Sequence, residues 1–150
     1  MLADILSVVA LVGSGLVAGV LFAVALSVLP ALIAMPAGDY IRTHQLIGRN
    51  WDPTMPVLVL SSAAADIALA FVESAGTVHF GVASALLLGV SVVSHWCNVP
   101  INRVVKSLDP RRIPPGWRDP RPLWRRWHLL RTTLAVLAVF VNAFAVTVIR

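Results

Sequence analysis

The sequence has little charge. Only 13% of its 150 residues are Asp, Glu, Lys or Arg, about half of the roughly 25% that soluble domains carry. Hydrophobic residues make up 58% of the chain. A water-soluble fold of this size cannot shield that much apolar surface, so the composition excludes an ordinary soluble domain and indicates a bilayer as the solvent. The length suits one domain, and we treat residues 1–150 as a single domain.

Cysteine is nearly absent as well. Cys97 is the only cysteine in the sequence, so the chain can form neither an intramolecular disulfide nor a cysteine metal cluster. We expect Cys97 to act as a small apolar side chain.

What the sequence does have is four long apolar runs, at about residues 5–33, 55–72, 80–99 and 132–149. Each is near or above the roughly 20 residues that a helix needs to cross about 30 Å of hydrocarbon. Backbone in lipid must satisfy its own hydrogen bonds, which favours helices over open strands. We therefore predict an all-α integral membrane four-helix bundle.

Basic residues predict how the bundle is oriented. Eight Lys or Arg residues lie between Arg103 and Arg126, and the connection between spans one and two adds Arg42 and Arg49. The connection between spans two and three has neither Lys nor Arg. Short loops rich in these residues stay cytoplasmic. We expect an inner-membrane protein with both basic loops in the cytoplasm and both termini outside.

The basic loop from Leu108 to Pro122 does not indicate nucleic acid as a partner. It contains five prolines, lies beside membrane spans and lacks a nucleic-acid-binding motif. Topology and contact with anionic lipid explain its charge. The Gly15-x-x-x-Gly19 spacing in span one allows close helix packing, which leaves a homo-oligomer open.

The connection between spans one and two predicts a short amphipathic helix. Pro36 and Gly38 end the first helix, and a helix over about Asp39 to Arg49 places Tyr40 and His44 on one face. The stretch Asn50–Pro53 then predicts a turn into span two, because the residue before a proline favours extended backbone.

Polar side chains from three segments should meet at the cytoplasmic level of the bundle. His95, Asn98 and Asn102 follow at helical spacing, as do His128 and Arg131. Polar groups that face lipid are costly, so these faces should point inward. Mutual hydrogen bonding is the simpler explanation, but convergence favours a functional pocket. Its candidate residues are His44, Asn50, Trp51, Asp52, His95, Asn98, Asn102, His128 and Arg131.

Two chemistries suit such a pocket. In the first, an imidazole acts as a general base near neutral pH, and Asn and Arg side chains hold a developing oxyanion. In the second, His44, His95 and His128 bind copper, iron or zinc with a position left open for oxygen or water. Their spacing matches no recognised metal motif, and we favour the site without a metal.

Asp66 stands apart from this group. It lies in the outer half of span two, where a carboxylate can be a proton relay or a transport site. The segment Val57–Ala65 is apolar except for Ser61 and Ser62, which disfavours a polar path to the cytoplasmic side chains. We predict a protonated or hydrated Asp66. A transporter subunit or a scaffold is the non-enzymatic alternative.

Several short motifs resemble those of the anthrone oxygenase-like family of small four-span membrane proteins. The matching segments are Leu29–Leu32, His44–Gln45, Asn50–Pro53, Asn98–Asn102 and Trp127–Arg131. The Asn-x-Pro-x-Asn and Trp-His-x-x-Arg elements are the most specific of them, and the likeness covers nearly the whole chain.

The resemblance implies an oxygenase that uses O2 on a flat phenolic substrate such as an anthrone. It implies a base at His128 or His44, with Asn98, Asn102 and Arg131 stabilising an enolate oxygen. Asn50, Trp51, Asp52 and Trp127 would bind the substrate, with the two tryptophans stacking on its rings. O2 is the co-substrate, and the chemistry requires no cofactor. A metal-dependent copper or iron redox enzyme on the same histidines is the alternative.

Overall fold

The chain folds into four long helices in this computed structural model. The structure describes residues 1–149, excluding the side chains of Asn50, Asp52 and Ile149. The helices are α1 (Leu2–Ala34), α2 (Ala37–Val72), α3 (Thr77–Ser107) and α4 (Arg121–Val148), and no strand occurs within the described residues. Each contains a stretch long and apolar enough to cross a membrane. The predicted all-α, four-span architecture is confirmed.

Helix α2 corrects one detail of the prediction. The helix expected between spans one and two is present, but it continues without interruption through Pro53 and Pro56 into span two. The turn predicted at Asn50–Pro53 is therefore wrong. A proline inside a helix costs about 3 kcal/mol, but the first turns of α2 bury Tyr40 and Ile41 completely against neighbouring segments. This packing outweighs the local preference of the two prolines.

Helix α4 begins well before the apolar run that predicted it. The run starts at Thr132, whereas the helix starts at Arg121. The extra turns are amphipathic: Trp124 and His128 are buried, while Arg125 and Arg126 are exposed. A hydropathy pattern misses such turns because their outer face is charged.

The described residues contain three π-helical segments: one ends α4 at Ala145–Ile149, and the other two interrupt spans shortly before a proline. These two cover Val24–Val28 ahead of Pro30 and Ser94–Asn98 ahead of Pro100. Proline has no N–H to donate, and the wider turn redirects the neighbouring backbone bonds, with the N–H of residue 29 donating to the carbonyl of residue 24. A π turn also rotates the residues within it relative to an α-helix. This rotation decides which side chains of α3 enter the bundle.

Three apolar clusters fill the interior along the bundle axis. The middle cluster joins all four helices and consists of Val17, Ala18, Leu21, Val59, Ala63, Leu87, Val90, Ala135 and Ala138. A second surrounds Tyr40 and Trp124 at the end that carries loop 108–120, which we call the basic end. A third surrounds Leu69 and Phe80 at the opposite end, which we call the terminal end because Leu6 of α1 and Val146 of α4 pack there.

Gly13 marks the closest approach between α1 and α2, and it provides a test of this packing. A Cβ at Gly13 would collide with the Ser62 hydroxyl, which already donates a hydrogen bond of 2.7 Å to the Leu58 carbonyl. Gly13→Ala should therefore lower the stability of the bundle by about 1–3 kcal/mol, as overpacked cores do. Thermal unfolding in detergent measures the loss.

Gly15→Ala and Gly19→Ala are the matched controls, because nothing lies within 4 Å of a Cβ at either position. Equal melting temperatures for Gly13→Ala and these two variants would contradict the observed helix approach.

Candidate functional site

A network of polar side chains lies inside the basic end of the bundle. Helix α2 contributes His44, α3 contributes Ser94, Asn98 and Asn102, and α4 contributes Trp124, His128 and Arg131. We call these seven residues the polar network. The sequence brings them together because each lies on the inward face of its helix, where a polar group avoids lipid.

His128 is fully buried, and its hydrogen bonds define its tautomer. Its Nε2 lies 3.0 Å from the backbone carbonyl of Leu21. A carbonyl oxygen can only accept, so Nε2 carries the hydrogen and donates it. In the neutral ring Nδ1 then holds the lone pair, and it accepts hydrogen bonds from Arg131 at 2.9 Å from a terminal nitrogen and 3.2 Å from Nε.

Arg131 joins α4 to α3. Besides the bonds to His128, its guanidinium donates to the Ser94 hydroxyl at 3.3 Å. The contacts come from i, i+3 spacing on α4 and from the π turn of α3. A guanidinium fixed in this way presents a permanent positive charge within the bundle, and it can stabilise an anionic oxygen.

Asn102 is held by two donors. The Trp124 indole donates to its Oδ1 at 3.0 Å. Because an indole N–H can only donate, the amide oxygen of Asn102 must face this tryptophan. His44 Nε2 lies 3.1 Å from the same oxygen and therefore also donates. The neutral His44 ring then carries its lone pair on Nδ1.

Four aromatic rings stack in a column beside these hydrogen bonds. The ring centroids of Tyr40 and His44 lie 5.5 Å apart, and those of His44 and Trp124 lie 5.6 Å apart, both edge to face. Trp124 then stacks on His128 at 5.1 Å with an interplanar angle of 14°. These ring contacts hold the planes of both imidazoles.

Burial raises the pKa of Tyr40 at one end of this column to about 12, with a smaller contribution from the nearby Asp119 carboxylate that outweighs the opposing effect of Arg121. Tyr40 therefore remains a neutral phenol at physiological pH and serves as a packing surface.

Asn98 is the unusual member of the polar network. It is 0% exposed, and neither its Oδ1 nor its Nδ2 has a hydrogen-bond partner within the described structure. Leaving a buried polar group unpaired costs about 1–3 kcal/mol. On α3 it lies one turn from Ser94, which binds Arg131, and one turn from Asn102, which binds His44. Its amide thus lies between the two hydrogen-bonded groups.

Arg121, the first residue of α4, links the C-terminus of α1 to loop 108–120 at the basic end. It donates to three backbone carbonyls at the C-terminus of α1, those of Leu32 at 2.9 Å, Ile33 at 3.2 Å and Met35 at 2.6 Å. The last carbonyls of a helix have no partner within the helix, so these bonds cap α1. The same guanidinium pairs with Asp119 at 2.6 Å and covers the Tyr40 ring at 5.0 Å.

Comparison with known proteins assigns a family. The family model described as anthrone oxygenase matches residues 44–141, more than half of the chain. The chain belongs to the anthrone oxygenase family. The match begins at His44 and includes every other member of the polar network. No curated protein and no solved structure matches the chain.

The structure of this anthrone oxygenase family member brings together five of the ten predicted site residues. His44, Asn98, Asn102, His128 and Arg131 all lie in the polar network.

Other predicted site residues lie elsewhere. Trp51 is 41% exposed on α2, and Trp127 is half-buried next to His128 on α4. The predicted substrate contacts of Asn50 and Asp52 concern side chains outside the described residues.

His95 does not join the other histidines. The π turn Ser94–Asn98 rotates it outward, so it is exposed and its ring contacts only the neighbouring Trp96 at 5.9 Å among the ring pairs described. The predicted shared face of His95 and Asn98 assumed an unbroken α-helix and is therefore wrong. Within the described residues, no group of three His, Cys, Asp or Glu side chains could hold a metal ion. The alternative metal set of His44, His95 and His128 is thus not assembled.

Trp124 and Arg121 are site residues that the sequence interpretation missed. Both lie in a segment whose arginines and tryptophans are typical of any membrane interface, so they were assigned to topology. Helical spacing could have identified Trp124 as a site residue, because it lies four residues before His128 on the same face of α4.

Loss of the Arg121 contacts should destabilise the bundle. Arg121→Leu removes the cap on α1 and the ion pair with Asp119, so it should lower the unfolding free energy by about 1.5–3 kcal/mol, as charged hydrogen bonds do. Arg126→Leu, an exposed change on the same helix, is the control. Thermal unfolding in detergent compares the two, and equal losses would refute the capping role.

Acidification should weaken the same contact. Hydrogen bonds from the Arg121 side chain, and to a lesser extent from its backbone N–H, lower the pKa of Asp119, against a smaller opposing effect of burial. A carboxylate with a lowered folded-state pKa stabilises the fold above its unfolded pKa of about 3.9 and loses that effect as the pH falls through the folded value. Asp119→Asn should therefore flatten the decline of melting temperature below about pH 4. An unchanged decline would contradict this linkage.

Proposed function

We propose that this protein is a membrane oxygenase that oxidises a flat phenolic, anthrone-like substrate with O2. Membership of the anthrone oxygenase family supports an oxygenase role. The single observation that carries the proposal is the fully buried Asn98 amide, unpaired between the His44–Asn102 and Arg131–His128 contacts. A stable bundle gains nothing from such an amide, whereas a substrate carbonyl or phenol can pair with it.

The proposed reaction balances without an external reductant. A base removes one proton from the CH₂ group of the anthrone, which gives an enolate conjugated with the phenolic rings. The enolate transfers an electron to O2, the two fragments combine into a hydroperoxide, and loss of water leaves a carbonyl at the former CH₂ carbon. One oxygen atom enters the product and the other leaves as water, so the substrate itself supplies the electrons.

His44 suits the role of base better than His128. Both ring nitrogens of His128 already serve structural bonds, one to the Leu21 carbonyl and one to Arg131. His44 donates through Nε2 to Asn102, which orients the ring and places the lone pair of the neutral tautomer on Nδ1. A neutral imidazole is the side chain that most often serves as a general base in enzymes. We therefore assign His128 to positioning Arg131.

Arg131 and Asn98 are the groups that stabilise the enolate oxygen. A guanidinium offers five N–H donors, and the bonds to His128 and Ser94 hold this one in place before substrate arrives. The Asn98 amide adds a neutral donor on α3, one turn from Ser94. Donors that are fixed in advance in an apolar interior typically lower reaction barriers by several kcal/mol, about 3–4 for one oxyanion donor.

An apolar substrate can approach this site from the lipid. A groove of about 280 Å³ lies between the end of α1 and the first turns of α4, lined by Leu29, Pro30, Arg125 and Leu129 among others. A second groove of about 170 Å³ adjoins it at Ile33 and Arg125. The inner faces of the same α4 turns carry Trp124 and His128, so the grooves lie on the lipid side of the polar network. The larger groove is lined mainly by apolar side chains, which suit a flat hydrocarbon ring system.

We further propose that the chemistry requires no resident metal, since the substrate supplies the electrons. Elemental analysis of the active purified protein tests this. Copper or iron in stoichiometric amount, together with loss of turnover on chelation, would instead support the metal-dependent alternative.

We also propose that the basic end faces the cytoplasm of an inner membrane, with both termini outside. Fusion reporters at the two termini test the orientation, because both should report an external location. Cytoplasmic signals from both termini would invert the assignment.

The main test of the proposed function is Asn98→Leu. Because an apolar side chain of similar size replaces an unpaired buried amide, the variant should be as stable as the parent protein or more so. Oxidation of an anthrone, followed as O2 consumption and quinone absorbance, should nevertheless fall by about 100-fold or more, as for lost oxyanion donors.

His44→Leu and His95→Leu form a matched pair of controls on the same assay. His44→Leu should abolish turnover, whereas His95→Leu should leave it unchanged because His95 is exposed outside the network. Full activity in Asn98→Leu, or equal losses in the two histidine variants, would remove the basis for the proposed site.

A further inference from the structure

A second buried polar cluster lies in the half of the bundle nearer the terminal end. Asp66 on α2, Asn142 on α4 and Ser14 on α1 are each 0% exposed. The Asn142 amide donates to Asp66 Oδ2 at 3.2 Å and to the Ser14 hydroxyl oxygen at 3.3 Å. The Ser14 hydroxyl donates in turn to the Ala10 carbonyl at 2.6 Å. Three helices thus meet at one carboxylate.

Two oxygens of this cluster are unpaired within the described structure. They are the second carboxylate oxygen of Asp66, Oδ1, and the amide oxygen of Asn142, Oδ1. The donors in the cluster are already engaged, Asn142 Nδ2 twice and the Ser14 hydroxyl with a carbonyl. The cluster therefore has more acceptors than donors, and its charge is negative when the carboxyl group is ionised.

Within the described residues, no Lys, Arg or His side chain forms an ion pair or hydrogen bond with Asp66. Helix α1 brings Asp4 and the terminal ammonium of Met1, which pair with each other at 2.8 Å in an exposed position. Helix α3 brings His79, whose ring lies 5.6 Å from that of Phe144. Arg131, on α4, is eleven residues from Asn142, about 16 Å along the helix at 1.5 Å per residue, and belongs to the polar network. Glu73, at the end of α2, adds only negative charge.

The apolar middle cluster also separates the two polar regions. Val17, Leu87, Ala135 and Ala138 from three helices are each 0% exposed and lie between the level of Asn142 and that of His128. No polar path between the regions is evident through this layer, so the carboxylate does not serve the proposed oxidation.

We propose that Asp66, Asn142 and Ser14 form a binding site for a small monovalent cation, either a proton or Na⁺. An ionised carboxylate without a partner in an apolar interior is prohibitively costly, so a bound cation is the group that the cluster requires. Carboxylate, amide and hydroxyl oxygens are hard donors, which suit an alkali cation, and the same carboxylate oxygen accepts a proton.

Infrared difference spectroscopy on the purified full-length protein tests this site without any assay of turnover. Spectra are recorded across a pH series in NaCl and, at equal ionic strength, in choline chloride. The C=O stretch of a protonated carboxylic acid, present in the parent protein and absent from Asp66→Asn, should disappear as the cation is exchanged. If Asp66→Asn does not fold, labelling aspartate with ¹³C at the carboxyl carbon shifts this band and assigns it to an aspartic acid, and Asp66 is the buried aspartate among the described residues.

A proton site and a sodium site give different spectroscopic results. Loss of the band with rising pH alone identifies a proton site, and its loss on adding Na⁺ at constant pH identifies a sodium site. Asn142→Leu should change the pH or Na⁺ concentration at half-effect by about tenfold, the equivalent of about one hydrogen bond. Asp4→Asn, an exposed change, should have no effect. A carboxyl group that never responds to pH or Na⁺ would overturn the proposal.

Discussion

Lipid offers no hydrogen-bond partners, so each donor or acceptor inside this bundle is either paired within the protein or left unpaired at a cost in free energy. That constraint determines the chemistry of the basic end. The indole of Trp124 can only donate, which fixes the orientation of the Asn102 amide, and that orientation makes His44 donate through Nε2. The Leu21 carbonyl can only accept, which sets the tautomer of His128 and lets its Nδ1 hold Arg131. Two imidazoles in one network thus acquire different roles.

The four spans were predictable because their signal is local. An apolar run of about 20 residues identifies a membrane helix regardless of its neighbours. The turns of α4 from Arg121 to Leu130 were not predictable in this way, since exposed arginines dilute the apolar signal on the opposite face. The continuous helix through Pro53 was missed for the converse reason. Its two prolines are a strong local signal, but the burial of Tyr40 and Ile41 is a tertiary effect.

The residue types of the candidate site were predictable from the sequence. Which residues of α3 face the bundle interior was only partly predictable. Spacing placed Asn98, Asn102, His128 and Arg131 on inward faces, and the structure agrees. The same reasoning placed His95 beside Asn98, and there it failed because one π turn replaces His95 with Ser94 as the residue that meets Arg131. The π segments share no sequence signature: two precede a proline, whereas the third, Ala145–Ile149, has no proline near it. The contact between Asp66 and Asn142 spans 76 residues, so only the folded chain could reveal it.

The two polar regions show opposite ways of placing polarity in a membrane. In the polar network nearly every group is paired, and the one unpaired side chain, Asn98, is a neutral amide whose isolation costs about 1–3 kcal/mol. That cost is tolerable within a stability of about 5–15 kcal/mol, so a neutral group can remain unpaired until a substrate binds. An ionised carboxylate cannot remain unpaired in this way, because the free-energy cost of its desolvation alone would exceed the stability of the fold. The chemistry of the unpaired group therefore determines what it binds: Asn98 suits a ligand that comes and goes, whereas Asp66 requires a cation for as long as the bundle is folded.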